Sequence, residues 1–354
     1  KQETYSPVNN AQMLENFLER LFRKNDVSFV YSSEFSYRNK EYLLTDIAFF
    51  MYESNNAEYS IKYEELREHI VDYLKRKMFS FLADEILNEF IENGLLIEVN
   101  TASNKFVKFR FSCFFQYYLM KNIQSNPGFK EYILTNDNCI YFINELDYYS
   151  GLLMNDEEIL RVIVAKMTEK YDQIKYKLLV KPGPSYDTFF EVTKSFTEIL
   201  TTDKIDEITN EVKHVPDRSE EVNDNILETT DKESKNIMQK ETQLSHLKIL
   251  ENYWTLAGTI LKNTEEIENP TLKKESLEKI VECSLIFASL VKLYLVKIKN
   301  SIENDPSVDD NFFNQYKFLY SFLPNIHQDL LSHIIGTGKL LVAIRDKLDS
   351  IINN

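Results

Sequence analysis

Glycine and proline are scarce in this sequence, and this scarcity most limits what the chain can fold into. The 354 residues include only 7 glycines and 8 prolines, far fewer than average usage would supply. Because glycine supplies most left-handed turns and phosphate-binding loops, both should be rare here. The chain is long enough for two or three packed domains, and its content of 43% hydrophobic and 13% aromatic residues excludes wholesale disorder. The composition therefore predicts a mainly α-helical protein with real cores.

The charge and the cysteines limit the classes of partner and compartment. The formal net charge of −15 at pH 7 opposes a broad nucleic-acid-binding surface, since phosphate binding needs a positive field. Cys113, Cys139 and Cys283 are widely spaced among apolar residues, which is typical of reduced, buried thiols. The longest apolar run, residues 285–298, is short and interrupted by two lysines. We therefore expect a cytoplasmic protein without a membrane span.

The clearest local pattern lies between residues 43 and 111, where helical spacing of apolar residues occurs three times and then changes to strand character. Helices are predicted over residues 43–53, 63–77 and 81–93, a short extended piece over 59–61, and strands over 95–99 and 105–111. A polar turn joins the two strands. This order, three helices and then a hairpin, is that of a winged helix.

The chain as a whole is predicted to be mainly α, with a winged-helix module and small β-hairpin followed by a helical bundle or an irregular helical-repeat domain. An amphipathic helix precedes the module, with one apolar stripe formed by Met13, Phe17, Leu18, Leu21 and Phe22. The predicted segments are a helical segment at 1–38, the winged-helix domain at 39–124, a helical domain at 125–200, a charged linker or excursion at 201–244, and a C-terminal helical bundle at 245–354. The linker is assigned because its polar composition buries too little apolar surface to fold alone.

The third predicted helix has the wrong charge to enter a DNA groove. Its charged residues are all acidic, namely Asp84, Glu85, Glu89 and Glu92. A recognition helix instead needs basic or amide side chains that meet phosphates and base edges. The basic residues 75–77 close the second helix, where cations also suit the helix dipole. We therefore expect this module to contact protein and not DNA.

Other motifs give weaker signals. Residues 336–339, Gly-Thr-Gly-Lys, resemble part of a phosphate loop, but the first glycine of that motif would fall at His333, so a bend or helix break is favoured. His327 and His333 are six residues apart and off a common helical face, so no metal site is predicted. Glu65 and His69 share a helical face and are predicted to pair. Serine-nucleophile, kinase and dinucleotide-binding signatures are missing, so no catalytic residue is predicted.

Several stretches carry a family resemblance. The first is Gly94-Leu-Leu-Ile-Glu-Val, and the second is Phe109-Arg-Phe-Ser-Cys-Phe-Phe-Gln-Tyr-Tyr-Leu-Met. Together they resemble the winged-helix end of STAND-type NTPases, the NACHT-like relatives of animal and plant innate immune receptors. The opening Ser6-Pro7-Val8-Asn9 is similar to the region after the nucleotide-binding core. Residues 144–152 are similar to a segment of bacterial defence members, so the resemblance covers about residues 5–170.

The resemblance implies a function and two site residues. It implies the C-terminal part, winged helix plus helical sensor, of a STAND/NACHT-like NTPase of the bacterial antiphage defence type, acting through self-association and a protein ligand. An effector domain and an ATPase core binding ATP or ADP with Mg²⁺ would precede Lys1, leaving no catalytic residue, metal or cofactor within this chain. The family's nucleotide-contacting histidine follows the Phe-Arg-Phe strand. Ser112 and Cys113 occupy that stretch here and are the predicted cofactor-binding residues.

Three other functions remain open from the sequence. The first is a helical scaffold or regulatory subunit that uses a winged helix for protein contact. The second is a winged-helix transcriptional regulator with a ligand-binding helical region, which the acidic third helix disfavours. The third is an enzyme with an unfamiliar site. Salt-dependent binding to duplex DNA would distinguish the second from the others.

Overall fold

A computed structural model describes residues 9–26, 35–54, 59–100, 104–180 and 246–284, with single residues at 287 and 334. These residues fall into two compact units, 9–152 and 153–180 with 246–334. The predicted mainly α fold is confirmed, with a small three-stranded antiparallel sheet. The five predicted segments remain a prediction. The charged segment 201–244, His327, His333 and residues 336–339 lie outside the described residues.

The first unit is built from helices around the small sheet. Its helices are α1 (Asn10–Asp26), α2 (Tyr37–Glu53), α3 (Tyr63–Arg76), α4 (Ala83–Glu92), α5 (Ser112–Ser125), α6 (Pro127–Leu134) and α7 (Ile143–Leu152), with a 3-10 helix at Asn138–Tyr141. Its strands are β1 (Ile61–Lys62), β2 (Leu96–Asn100) and β3 (Lys105–Phe109). The helices and strands predicted between residues 43 and 111 are confirmed, with ends shifted by up to six residues. α2 begins early because the Ser36 side chain accepts a hydrogen bond from the Asn39 amide and caps the helix.

The sheet has the strand order β1-β3-β2, and both pairings are antiparallel. The predicted extended piece before α3 is β1, where Ile61 lies opposite Val107 of the central strand. Side chains alternate along β3, so that Val107 and Phe109 are buried and Lys105 is exposed. The hairpin therefore covers one side of the helices with its apolar face.

Helix α5 lies at the centre of the first unit. It packs against α2, α6, α7 and β3. Its buried side chains cover all sides of the helix and include Cys113, Phe114, Phe115, Gln116, Tyr117, Tyr118, Leu119, Met120 and Ile123. A helix with apolar residues on every side belongs in a core. Burying one large apolar side chain contributes about 1.5–3 kcal/mol, so α5 is a principal source of stability for this unit.

Helix α1 uses a different face from the predicted one. Its buried side chains are Ala11, Leu14, Leu18 and Phe22, whereas Met13 and Phe17 are 45% and 48% exposed. The predicted stripe was therefore partly wrong, because the face that packs against α7 is rotated towards the small residue Ala11. A Cβ atom on Gly151 of α7 would lie 2.8 Å from the Ala11 Cβ, so a glycine is needed at this close approach.

The second unit contains α8 (Glu157–Val180), α9 (His246–Asn263) and α10, a helix over residues 270–284. Helices α8 and α9 pack along each other. The indole Nε1 of Trp254 donates a hydrogen bond to the Ile280 carbonyl at 3.0 Å and ties α9 to α10. Gly258 faces Ile334, whose Cγ2 would lie 2.2 Å from a Cβ at this glycine. Within the part of the chain that the structure describes, no helix is long and apolar enough to cross a membrane.

Candidate functional site

The two predicted nucleotide-contacting residues lie at the start of α5. Ser112 is the first residue of this helix and is half-buried, whereas Cys113 is buried. No side chain caps the helix, because the preceding residue is Phe111, whose carbonyl accepts from the Phe114 amide at 3.1 Å. Amides in the first turn of a helix favour an anion. The Ser112 hydroxyl and these amides therefore suit a phosphate or carboxylate group, and the buried Cys113 thiol does not.

The backbone before α5 is fixed by a tight arrangement of Gly94 and Arg110. Gly94 has φ +72°, a left-handed conformation that favours glycine at a helix end. The Arg110 amide donates to the Leu95 carbonyl at 2.9 Å, and a Cβ on Gly94 would lie 3.2 Å from the Arg110 Nη1. The end of α4 thus positions the connection from β3 to α5.

Two polar side chains are buried without partners on the neighbouring helices α5 and α7. Gln116 on α5 is 1% exposed, and neither its amide nitrogen nor its amide oxygen has a hydrogen-bond partner among the described residues. Glu145 on α7 is also 1% exposed, and its Oε2 has no partner there either. Burial raises the pKa of the Glu145 carboxyl from 4.5 to about 8. Each unpaired group weakens the packing of these helices by about 1–3 kcal/mol.

Aromatic residues surround this buried polar region. The Tyr59 ring stacks on Phe115 of α5 with centroids 4.2 Å apart. Burial raises the pKa of the Tyr59 hydroxyl, and the negative charge of Glu145 adds to the rise. Burial and a hydrogen bond with Tyr132 likewise raise the pKa of Tyr52, to which the Glu145 charge also contributes. Glu145 therefore lies in a region of low polarity, where protonation of its carboxyl is favoured.

A lysine on α5 joins three helices through a shared ionic contact. The Lys121 Nζ lies 3.1 Å from Glu15 Oε1 of α1 and 3.3 Å from Glu41 Oε1 of α2. The Tyr117 hydroxyl donates to the same Glu15 oxygen at 3.3 Å. Because Lys121 is largely buried, this contact is screened less than a surface ion pair. It fixes α1 and α2 against the central helix.

The outward face of α4 is acidic, as the sequence predicts, but two of its carboxylates are paired. The Arg67 Nε donates to Asp84 Oδ1 at 2.7 Å, a hydrogen bond that lowers the pKa of Asp84. Lys40 of α2 pairs with Glu89. Glu85 and Glu92 are exposed. The face therefore keeps the exposed carboxylates of Glu85 and Glu92, while Arg67 of α3 pairs with the first turn and Lys40 of α2 pairs near the C-terminal end of α4.

The predicted pairing of His69 with Glu65 is wrong. The His69 Nε2 lies 2.5 Å from Asp46 Oδ2 on α2, and its ring stacks on Phe50 at 3.9 Å. His69 pairs with Asp46 of α2 and not with Glu65 of its own helix because α2 packs directly over this face of α3. Among the residues that the structure describes, no cluster of three His, Cys, Asp or Glu side chains could hold a metal ion.

Sequence reasoning did not single out Gln116 or Glu145, and it predicted Ser112 only through the family resemblance. In a comparison with known families, residues 59–119 match the family described as Novel STAND NTPase 4. This stretch of the chain is similar to STAND NTPases. It runs from Tyr59 through β1, α3, α4 and the hairpin into α5, and so includes the start of α5 and Gln116. No curated protein and no solved structure matches the chain.

Proposed function

We propose that this chain is the regulatory and sensor portion of a STAND-like NTPase in antiviral defence. The observation that carries the proposal is the match of residues 59–119 to the Novel STAND NTPase 4 family. The antiphage part of the proposal is suggested by the resemblance noted in the sequence at residues 144–152, which lie outside the stretch matched to the family. In this proposal a nucleotide-binding core that uses ATP or ADP with Mg²⁺ acts beside the chain, and its partners are a protein ligand and further copies of itself.

Residues 39–124 act in this proposal as a winged-helix domain that contacts protein. The support is the order helix, strand, helix, helix, hairpin, together with the sheet order β1-β3-β2. In a DNA-binding winged helix, α4 would enter the major groove. Its outward Glu85 and Glu92 would repel the phosphates, since groove binding depends on positive charge. A gel-shift titration at low salt tests this role, and salt-dependent binding to duplex DNA would contradict it.

The start of α5 is the proposed nucleotide contact of this module. We expect Ser112 and the first turn of α5 to form the contact, because they directly follow the Phe-Arg-Phe strand and because the dipole at the start of a helix favours an anion. A Ser112→Ala variant of the intact protein should bind nucleotide several-fold more weakly while keeping its melting temperature. Cys113→Ala is the matched control, because this thiol is buried and its removal should affect stability more than nucleotide affinity. Equal nucleotide affinity of wild type and Ser112→Ala would exclude the contact.

The relay in this proposal runs through the packing of α5 against α7. A switch needs two arrangements that differ by only a few kcal/mol, so that a ligand with unequal affinity for them changes their populations. The unpaired Gln116 and Glu145 lower the stability of the packed arrangement by an amount of this size. A ligand at the start of α5 that favours one arrangement therefore needs to supply only a few kcal/mol to change the packing of α7.

Hydrogen exchange of the intact protein tests the relay. Amides of residues 112–125 and 143–152 should exchange at different rates with ATP and with ADP, while amides of the hairpin at 96–109 serve as the internal reference. Identical exchange of these helices in both nucleotides would overturn the relay.

The defence role is tested separately by phage plating on cells with and without the intact gene, and unchanged plating efficiency over a broad phage panel would contradict it.

A further inference from the structure

The turn between α3 and α4 contains Met78, although its backbone conformation favours glycine and its side chain is not buried in the core. At the end of α3, the Met78 amide donates to the Lys75 carbonyl at 3.1 Å and the Phe79 amide donates to the Leu74 carbonyl at 2.9 Å. This pair of hydrogen bonds is the common glycine-terminated helix ending, in which one residue takes a left-handed conformation. Met78 is that residue, with φ +57°. A side chain in this conformation is strained, because its Cβ crowds the backbone.

The same ending occurs after α4 with the expected residue. There the Gly94 amide donates to the Ile91 carbonyl at 3.0 Å, and the Leu95 amide donates to the Phe90 carbonyl at 2.9 Å. Gly94 occupies the left-handed position at φ +72°. The endings of α3 and α4 can therefore be compared directly: the left-handed position holds methionine after α3 and the favoured glycine after α4.

Burial does not compensate the strain at Met78. Its side chain is 92% exposed, the highest value among the large hydrophobic residues described. By contrast Tyr59, which also has a positive φ, stacks on Phe115 and is explained by packing. Met78 is thus unfavourable in its backbone conformation and in its contact with water. Both effects would be absent with glycine, so the methionine is better explained by a contact outside this unit.

The surroundings of Met78 define the chemistry of that contact. Residues 75–82 form what we call the α3–α4 corner. Its N-terminal part presents three exposed cations, Lys75, Arg76 and Lys77, and its C-terminal part presents Leu82, which is 62% exposed. The Lys75 Nζ lies 3.5 Å from Asp72 Oδ1 and the Arg76 Nη2 lies 3.6 Å from Asp46 Oδ1, but ion pairs this long at the surface are weak and leave the cations able to meet a partner's carboxylates. The corner thus joins positive charge to two large exposed apolar side chains.

Aromatic packing beneath the α3–α4 corner fixes its backbone. The rings of Phe79 and Phe81 pack edge-on against the buried Phe35, with centroids 5.6 Å and 5.2 Å away. Aromatic pairs in this geometry stabilise a fixed arrangement of the connection. Met78 and Leu82 are therefore presented by a rigid turn, which lowers the entropic cost of binding.

The charges near the corner favour one kind of partner. Leu82 is followed in the first turn of α4 by Asp84, which is paired with Arg67, and by the exposed Glu85, so carboxylates follow the cations of residues 75–77 within a few residues. An anionic membrane plane or a nucleic acid would meet these carboxylates together with the lysines, and the protein as a whole is acidic. A short protein helix places a few carboxylates and apolar side chains at defined positions and meets only the cations.

We propose that the α3–α4 corner docks an acidic amphipathic helix of a protein partner, with Met78 and Leu82 against its apolar face and residues 75–77 against its carboxylates. The inference rests on the protein-contact role proposed above and names its surface, but it does not depend on nucleotide switching. Failure of the nucleotide experiments would leave this surface untouched, and failure of the peptide experiment below would leave the nucleotide relay untouched.

A peptide-binding experiment with the full chain tests the docking. The probe is a fluorescent 16-residue helical peptide with leucines on one face and glutamates beside them, and its counterpart carries lysines in place of the glutamates. Wild type should bind the acidic peptide more tightly than the basic one, with an affinity that falls as salt rises. No binding of the acidic peptide, or equal binding of both peptides, would overturn the proposal.

The Met78→Gly variant separates docking from folding. It should raise the midpoint of denaturant unfolding, because glycine relieves the left-handed strain, while it weakens peptide binding by about tenfold. The matched control is Met13→Ala, which removes an exposed methionine on α1 and should leave binding unchanged. Unchanged binding by Met78→Gly would refute the role of Met78.

A vesicle experiment distinguishes a protein partner from a membrane. If the chain binds phosphatidylglycerol vesicles and Met78→Gly does not, the corner contacts a membrane and the proposal is overturned.

Discussion

Replacement of Glu145 by glutamine should change how the stability of the first unit depends on pH. Its carboxyl is 1% exposed, and burial raises its pKa from 4.5 to about 8. Below pH 4.5 both folded and unfolded chains are protonated at this position, so its contribution does not vary. Between pH 4.5 and 8 the unfolded chain loses the proton and the folded chain keeps it. The free energy of unfolding therefore falls as the pH rises through this range.

The size of this fall follows from the two pKa values. Each unit of difference between folded and unfolded pKa corresponds to about 1.4 kcal/mol. The difference between 4.5 and about 8 then corresponds to at most about 5 kcal/mol of lost stability at pH 8 relative to pH 4.5. In Glu145→Gln this loss should disappear, because the amide stays neutral. The variant and the wild type should match at pH 5 within about 1 kcal/mol, and the variant should be more stable at pH 8.

The assay must report on the first unit alone. The only tryptophan of the chain is Trp254, which belongs to the second unit, so its fluorescence does not follow α7. Hydrogen exchange of residues 143–152, corrected for the intrinsic pH dependence of exchange, measures the opening of α7 directly. Glu131→Gln on the exposed surface of α6 is the matched control for the exchange of carboxyl for amide. If wild type and Glu145→Gln show the same change in protection from pH 5 to 8, the buried carboxyl does not control this packing.

Three further substitutions test other parts of the structure. Gly94→Ala should cost about 1–2 kcal/mol in denaturant unfolding because of its left-handed backbone, and no loss would contradict that conformation. Lys121→Met leaves two carboxylates without their shared lysine and should speed hydrogen exchange in α1, while equal exchange would show that the contact is unimportant. Gly258→Ala should lower the unfolding midpoint seen by tryptophan fluorescence, since its Cβ would overlap Ile334. An unchanged midpoint would contradict that close approach.

The regular elements of the first unit were predictable because local signals and tertiary packing agree. The helical spacing over residues 63–77 and the change to strand character after Gly94 both correspond to observed elements. A further local signal is Asn126 followed by Pro127, which is a typical helix start. The Asn126 side chain accepts a hydrogen bond from the Phe129 amide and begins α6. This capping pattern by itself therefore predicts the start of α6.

The polar features of the candidate site were not predictable in the same way. Glu145 stands in a stretch of mixed polar and aromatic residues, and nothing local distinguishes it from an exposed glutamate. Its burial arises because α7 packs on α5, a contact between distant segments. The same holds for His69, which pairs with Asp46 of another helix. Periodicity identifies which residues form an element, but the partner of a polar side chain depends on how elements meet.

The distribution of stabilising contacts in the first unit favours movement of α7 over movement of the other elements around α5. The contacts of α5 with α2 and β3 are aromatic and ionic, and they include the stacked pair Phe109–Tyr118 and the shared Lys121. Helix α7 instead carries the buried carboxyl of Glu145, one oxygen of which has no partner among the described residues, and the neighbouring α5 carries the unpaired amide of Gln116. A change in the protonation of Glu145, or a ligand that favours one arrangement of α5, supplies a few kcal/mol at most. A free energy of that size is too small to open the aromatic core. It is similar to the stability that the unpaired polar groups cost the packing of α7.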